Sequence, residues 1–256
     1  MNLRDRSLVA APLVAALALV SSAHCGDDST GRQRVSFEVY ADALRAESDS
    51  SMGWHVRVEQ AAVAIGPIRW YEGSPLFGEL RRMFSGVAWA HPGHYVPGGA
   101  LADITTRGVV DLMATTPVRI ATAAGVSGEV NSAHLELHPA EDDLGAERAS
   151  LRNGSLSLRG TATRGDVTVR FSAAPRIDVN IEGIPARATL DGTPGRFVVG
   201  VDLGALLDRV DFSTLPVQPA ETVAFPEGAQ ASNALYRGAV SGASWRFTWV
   251  AGAARP

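Results

Sequence analysis

Apolar side chains recur at every second residue of this chain, and that period constrains its fold more than any other property. Val35, Phe37 and Val39 alternate with Ser36, Glu38 and Tyr40; Trp54, Val56 and Val58 alternate with His55, Arg57 and Glu59; Trp245, Phe247 and Trp249 alternate with Arg246 and Thr248. Successive side chains of a β-strand point to opposite faces, so such runs build strands with one buried and one solvated face. The first half predicts strands from Gln33, from Trp54 through Tyr71 with Pro67 ending or bending the run, and at 107–113, 117–122 and 129–138. In the second half, strands at 150–163, 166–172, 177–182, 186–190 and 195–201 are divided by Gly, Pro, Asn and Asp clusters roughly every 8–12 residues, the cadence of a sandwich or barrel. A pair at 234–241 and 244–250 closes the series.

Three stretches depart from this period. Ala41 to Ser50 is polar and reads as a short helix or a loop. Val201 to Val210 has apolar residues at i, i+3 and i+4 spacing and is the best helix candidate, while 215–228, with three prolines, reads as a loop. One helical turn around Leu80 to Phe84 is also expected. The strands of a parallel sheet are covered on both faces and read as continuous apolar runs, so the alternation predicts an antiparallel arrangement. The expected fold is all-β: an antiparallel β-sandwich, jelly-roll or Ig-like, with one or two short helices.

The N-terminus has a different grammar. Arg4 and Arg6 precede an apolar run from Leu8 to Val20, followed by Ser21, Ser22 and Ala23, the order of regions in a secretory signal peptide. The run is short for a membrane span. The single cysteine, Cys25, stands where a lipoprotein signal places its lipidated residue, and a lone Cys makes no internal disulfide. Lipobox motifs resemble Leu-Ala-Gly/Ala-Cys, whereas here Ser22, Ala23 and His24 precede the Cys; a cut after Ala23 would release a soluble protein instead. The expected organisation is a signal peptide over 1–24, a flexible tether over 25–33 and a single β domain over 34–256. This implies a lipid-anchored protein on the periplasmic side of the cell envelope, on the outer membrane, or a secreted one under the alternative cut.

Hydrophobic residues make up 46% and charged residues 20% of the chain, which is globular and not disordered. The formal net charge of −4 supplies no electrostatic reason to expect nucleic acid as a partner. All 23 basic residues are Arg, which removes P-loop, Schiff-base and Ser-Lys chemistry together. There is no G-x-S-x-G, H-E-x-x-H or EF-hand pattern.

The sharpest functional signal is His91-Pro92-Gly93-His94. Pro followed by Gly is type II turn chemistry, since proline presets φ and glycine accepts the positive φ that follows. The histidines then occupy the corners, with Cα atoms within about 7 Å, and can converge on one ion. Trp89 and Tyr95 flank the turn and are candidates to wall the site. His134 and His138 bracket His-Leu-Glu-Leu-His; on a strand they lie about 13 Å apart and cannot share an ion, although either can act with Glu136. His55 and His134 are the candidate third ligands, with Glu136 and Asp103 as supporting groups. Imidazole donors suit Zn²⁺ or Cu²⁺, and the lack of a Cys or Met cluster argues against Cu⁺ and iron–sulfur sites.

At WHVRVEQAAVAIGPIRWYEG and AHPGHYVPGGALAD the chain resembles a group of secreted β-proteins and lipoproteins of Gram-negative bacteria, and it is distantly similar to the MbnP-like proteins associated with periplasmic copper handling. The resemblance covers roughly residues 35–140. It implies a sandwich-like, periplasm-facing accessory protein that binds metal. Non-catalytic metal binding is therefore the first expectation. A metal-free envelope module docking a protein partner through Trp70, Tyr71 and Trp89 is the second. A metal-dependent enzyme with Glu136 or Asp103 as base is the third.

Overall fold

The period-two runs fold into strands of two sheets, between which the chain passes back and forth. The computed structural model describes residues 31–74, 96–140, 142–216 and 221–252. In chain order the strands are β1 (Arg34–Leu44), β2 (Glu47–Asp49), β3 (His55–Ile65), β4 (Ile68–Tyr71), β5 (Ala100–Ile104), β6 (Gly108–Asp111) and β7 (Val118–Val126). They continue with β8 (Gly128–Leu137), β9 (Leu156–Arg164), β10 (Val167–Ala173), β11 (Val179–Leu190), β12 (Gly195–Asp202), β13 (Thr222–Ala224) and β14 (Trp245–Ala251). Three short α-helices, α1 (Arg148–Leu151), α2 (Leu203–Leu207) and α3 (Gln230–Ala239), accompany them, together with single 3₁₀ turns.

Eight strands close into a barrel in the order β1-β12-β14-β11-β8-β4-β5-β7, where the sequence predicts an open sandwich. The ring closes because β7 pairs with β1 from Arg34↔Val126 to Ala41↔Val118, leaving no free edge. An eight-stranded barrel is just wide enough for its own side chains to fill. Phe37, Trp70, Phe197, Phe247 and Trp249 fill this one, with Trp70 stacked on Phe197 at 5.3 Å and Phe37 edge-on to Trp70 at 5.2 Å. The lumen is thus a packed core. Trp70 is fully buried in it and is not available as a partner surface.

The remaining strands form an open sheet, β13-β10-β9-β3-β2, with β6 also paired to β3. Its inner face (Val56, Val63, Leu158, Phe171) packs into the same hydrophobic core as the barrel and the apolar faces of α2 and α3. The chain changes sheets at Gly66-Pro67, joined by a cis peptide, so Pro67 separates β3 from β4 as expected. Gly66 has a φ of 111°, and a Cβ there would strike the Thr106 carbonyl oxygen, so only glycine fits the crossing.

Three strand pairs are parallel: β1 with β12, β11 with β14, and β10 with β13. This corrects the all-antiparallel expectation. The alternation reports that one face of each strand is solvated, and a barrel exposes one face of parallel and antiparallel strands alike. The β1–β12 pairing carries β1 through Leu44, so residues 41–44 are strand, where a helix or loop is expected. The bidentate Arg45–Asp202 pair, with Nε–Oδ distances of 2.8 and 2.9 Å, holds the turn that follows, where Arg45 has a φ of 52°. Asp202 also caps α2 by accepting from the Ala205 N–H.

Other boundaries moved for local reasons. The strand expected at 234–241 is replaced by helix α3, because Ala231, Ala234, Leu235 and Ala239 are buried at helical spacing over Gln230–Ala239. Residues 177–190 do not break into two strands: β11 runs through Gly183 and Pro185 by shifting register against β8 on either side of Ile184 and Pro185. The 150–163 strand begins only at Leu156, after α1, and the proline-rich 215–228 segment contains β13. The sequence reading omits β5.

Candidate functional site

The histidines of β8 stand out on the outer wall of the barrel. Ala133, Leu135 and Leu137 of this strand face the lumen, which turns Ser132, His134 and Glu136 outward, with His138 following just past its end. Antiparallel pairing of β4 puts Arg69 opposite His134, and pairing of β5 puts Asp103 opposite Arg69. Asp103, Arg69 and His134 therefore form a row across three strands. The next strand in line, β11, shifts register between Ile181 and Ile184 opposite this row.

His134 faces outward yet is only 5% exposed, because the Tyr71 ring lies over it at 4.3 Å between centroids, tilted by 41°. Burial lowers its pKa below the usual value for imidazole; Glu182 opposes that shift, Arg69 adds to it, and Glu136 opposes it. At neutral pH His134 is the uncharged form, the form that ligates metals.

His138 has the opposite surroundings. Its Nε2 is 3.1 Å from Glu136 Oε2 and its Nδ1 is 2.6 Å from Asp178 Oδ1, while Arg69 Nη1 donates to Glu136 Oε1 at 2.9 Å. The bond to Glu136 raises its pKa most, burial opposes that next, and the bond to Asp178 raises it further, for a net upward shift. Only the imidazolium donates from both nitrogens, so this geometry selects the protonated ring.

His55, at the edge of the open sheet, repeats the pattern. Its Nδ1 lies 2.8 Å from Asp49 and its Nε2 3.0 Å from Glu47, both on β2. Asp49 chiefly, and then Glu47, raise its pKa. Each nitrogen of His55, like each nitrogen of His138, thus faces its own carboxylate. His55 ties β3 to β2, and His138 ties the end of β8 to Asp178 ahead of β11. Among the described residues no group of three or more His, Cys, Asp or Glu side chains is arranged to hold a metal ion.

His91, His94, Trp89, Tyr95 and Cys25 lie outside the described residues. The candidate third ligands are not brought together: His55 belongs to the open sheet and His134 to the barrel wall. Asp103 and Glu136 both stand near His134, each a strand neighbour of Arg69 or its ion-pair partner. The described residues on either side of the 75–95 segment meet at this wall. Gly73 N donates to the Pro97 carbonyl at 2.7 Å and Glu72 N to that of Gly99 at 3.1 Å. Both are held against β8, Asn131 Nδ2 donating to the Glu72 carbonyl at 2.7 Å and Ser132 Oγ to the Gly73 carbonyl.

Sequence reasoning missed Tyr71, Arg69 and Asp178 as members of this cluster. Arg69 and Tyr71 carried a signal, since they share the polar face of a strand two residues apart. Asp178 carried none, being 40 positions from His138. Compared with protein families, curated proteins and solved structures, the chain finds no match. No helix among the described residues is long and apolar enough to cross a membrane.

Proposed function

We propose that this is a lipid-anchored, periplasm-facing β-barrel protein that binds Zn²⁺ or Cu²⁺ without catalysis, through His91 and His94 with His134 as the third donor. The observation that supports this reading is the position of His134. It is buried and neutral beneath the ring of Tyr71, two residues before Gly73, whose N–H meets the Pro97 carbonyl where the described chain stops and resumes on either side of residues 75–95. His55, on the open sheet with Asp49 and Glu47 at its two nitrogens, remains the alternative third donor. The resemblance of residues 35–140 to MbnP-like proteins points to the same chemistry.

The test is elemental analysis of untagged protein, followed by calorimetric titration with Zn²⁺ and Cu²⁺. About one equivalent of metal is expected, bound more weakly below about pH 6, where imidazoles protonate. The His91→Ala/His94→Ala variant is expected to lose it and His134→Ala to weaken it. Unchanged affinity in the double variant would overturn the reading. Anchoring is tested separately: Cys25→Ala is expected to move the protein from the membrane to the soluble periplasmic fraction.

A further inference from the structure

The outward face of the open sheet is polar, and its charge is one-sided. One row across it runs Arg57, Thr161, Arg170 and Thr222 on β3, β9, β10 and β13. Arg159 stands on β9 two residues before Thr161, and Thr163 and Thr168 are paired in the adjacent row. Neighbouring strands are about 4.8 Å apart and residues i and i+2 about 7 Å, so three guanidinium groups rise from an area roughly 10 Å across.

Little on this face neutralises them. β9, β10 and β13 contain no Asp or Glu, and the exposed Glu59 of β3 and Glu221 before β13 are the acids nearest the row. The acids Glu47 and Asp49 are confined to the β2 edge, where both engage His55, and Glu47 approaches Arg57 only to 3.9 Å. Among the described residues no carboxylate pairs with Arg159 or Arg170, and Arg159 Nη2 donates only to Thr222 Oγ1, at 3.3 Å. A basic platform on a chain of net charge −4 is a local excess that an anion can complement.

The side chains select the kind of anion. The platform has no aromatic ring on which nucleobases could stack. It also presents no row of large apolar side chains to enter a lipid surface; the exposed Val167 sits at the β9–β10 turn. It offers guanidinium forks, which pair bidentately with carboxylate or sulfate, interleaved with hydroxyls able to exchange hydrogen bonds with sugar hydroxyls. We infer that this face binds an acidic polysaccharide, with Arg57, Arg159 and Arg170 taking its acid groups and Thr161, Thr163 and Thr168 its hydroxyls. The site is independent of the proposed metal.

The experiment measures binding of the full chain to heparin and to a polyuronate by calorimetry at low ionic strength, and again at about 0.3 M salt, where screening is strong. The parent is expected to bind both polymers and to weaken with salt. Arg57→Ala/Arg159→Ala/Arg170→Ala is expected to lose about tenfold or more, while Arg237→Ala, on α3 and off the face, binds like the parent. These side chains are exposed, so their loss should leave stability nearly unchanged. If the triple variant nevertheless unfolds, Arg159→Gln and Arg170→Gln are each expected to weaken binding roughly threefold. The inference fails if the parent binds neither polymer or if the arginine variants bind as the parent does. It fails equally if DNA or anionic phospholipid vesicles bind as tightly with the same arginine dependence.

Discussion

The barrel and the open sheet each hold an aromatic cluster, but they assemble it differently. In the barrel all five rings come from its own strands, four from the adjacent β1, β12 and β14 and Trp70 from β4 across the lumen. In the open sheet Trp54 and Phe171 meet Phe212 and Phe225, which lie in the 3₁₀ turn after α2 and just beyond β13. A closed ring covers itself. An open sheet needs other segments to cover one face, and its second face remains free for recognition.

The largest expected effect tests that self-sufficiency. Phe197→Ala, in the lumen, should cost about 3–5 kcal/mol, because the surrounding strands cannot collapse into the space. Phe225→Ala removes a half-buried ring and should cost about 1–2 kcal/mol. Urea unfolding of both variants checks this, and equal losses would break the contrast.

Next come two glycines at close strand contacts. A Cβ on Gly125 would overlap the Leu101 carbonyl oxygen in the β5–β7 seam, and one on Gly160 would overlap that of Arg57 in the open sheet. Alanine at either is expected to cost about 1–3 kcal/mol. The β5–β7 ladder has only two registered pairs, so Gly125→Ala should open it locally, seen as faster amide exchange in β5 and β7. Gly160 lies between two long ladders, and its variant should lower the global midpoint instead.

The smallest effects separate two histidines four residues apart on the barrel wall. The raised pKa of His138 means its ion pairs stabilise the fold fully below the unfolded value near 6.5, a contribution lost as pH rises through the higher folded value. The lowered pKa of His134 has the opposite sign: protonation of the unfolded chain costs stability as pH falls below about 6.5. His138→Gln should therefore reduce stability at pH 5 to 6 and little at pH 8, by about 0.5 kcal/mol after solvent screening. His134→Gln should flatten the acid limb. Urea midpoints across pH 5 to 8 distinguish the two, and parallel pH profiles for both variants would remove the distinction.

Part of the candidate site was legible from residue order. Strand alternation alone puts His134, Glu136 and His138 on one face opposite Leu135 and Leu137, and it separates His134 from His138 too far to share an ion. It says nothing of Tyr71 lying over His134 or of Asp178 closing on His138, because these contacts join strands whose adjacency is not written in either one. The helix at 230–239 has its signal in the spacing of Ala231, Ala234 and Leu235, a period of three to four that a strand expected over 234–241 does not use.

What the sequence by itself determined is the β class, the buried faces of the alternating runs such as 35–39, 54–58 and 245–249, the break at Pro67 and the helical spacing within 201–210. These follow from side-chain period and proline's missing donor, both properties of neighbouring residues. Only the tertiary structure decided that β7 meets β1 to close a ring, that β1 and β12 run parallel, and which carboxylates hold His55 and His138. Period two states which face is buried and is the same in a sandwich and a barrel; the choice of neighbour rests on packing the aromatic residues of distant strands into one lumen.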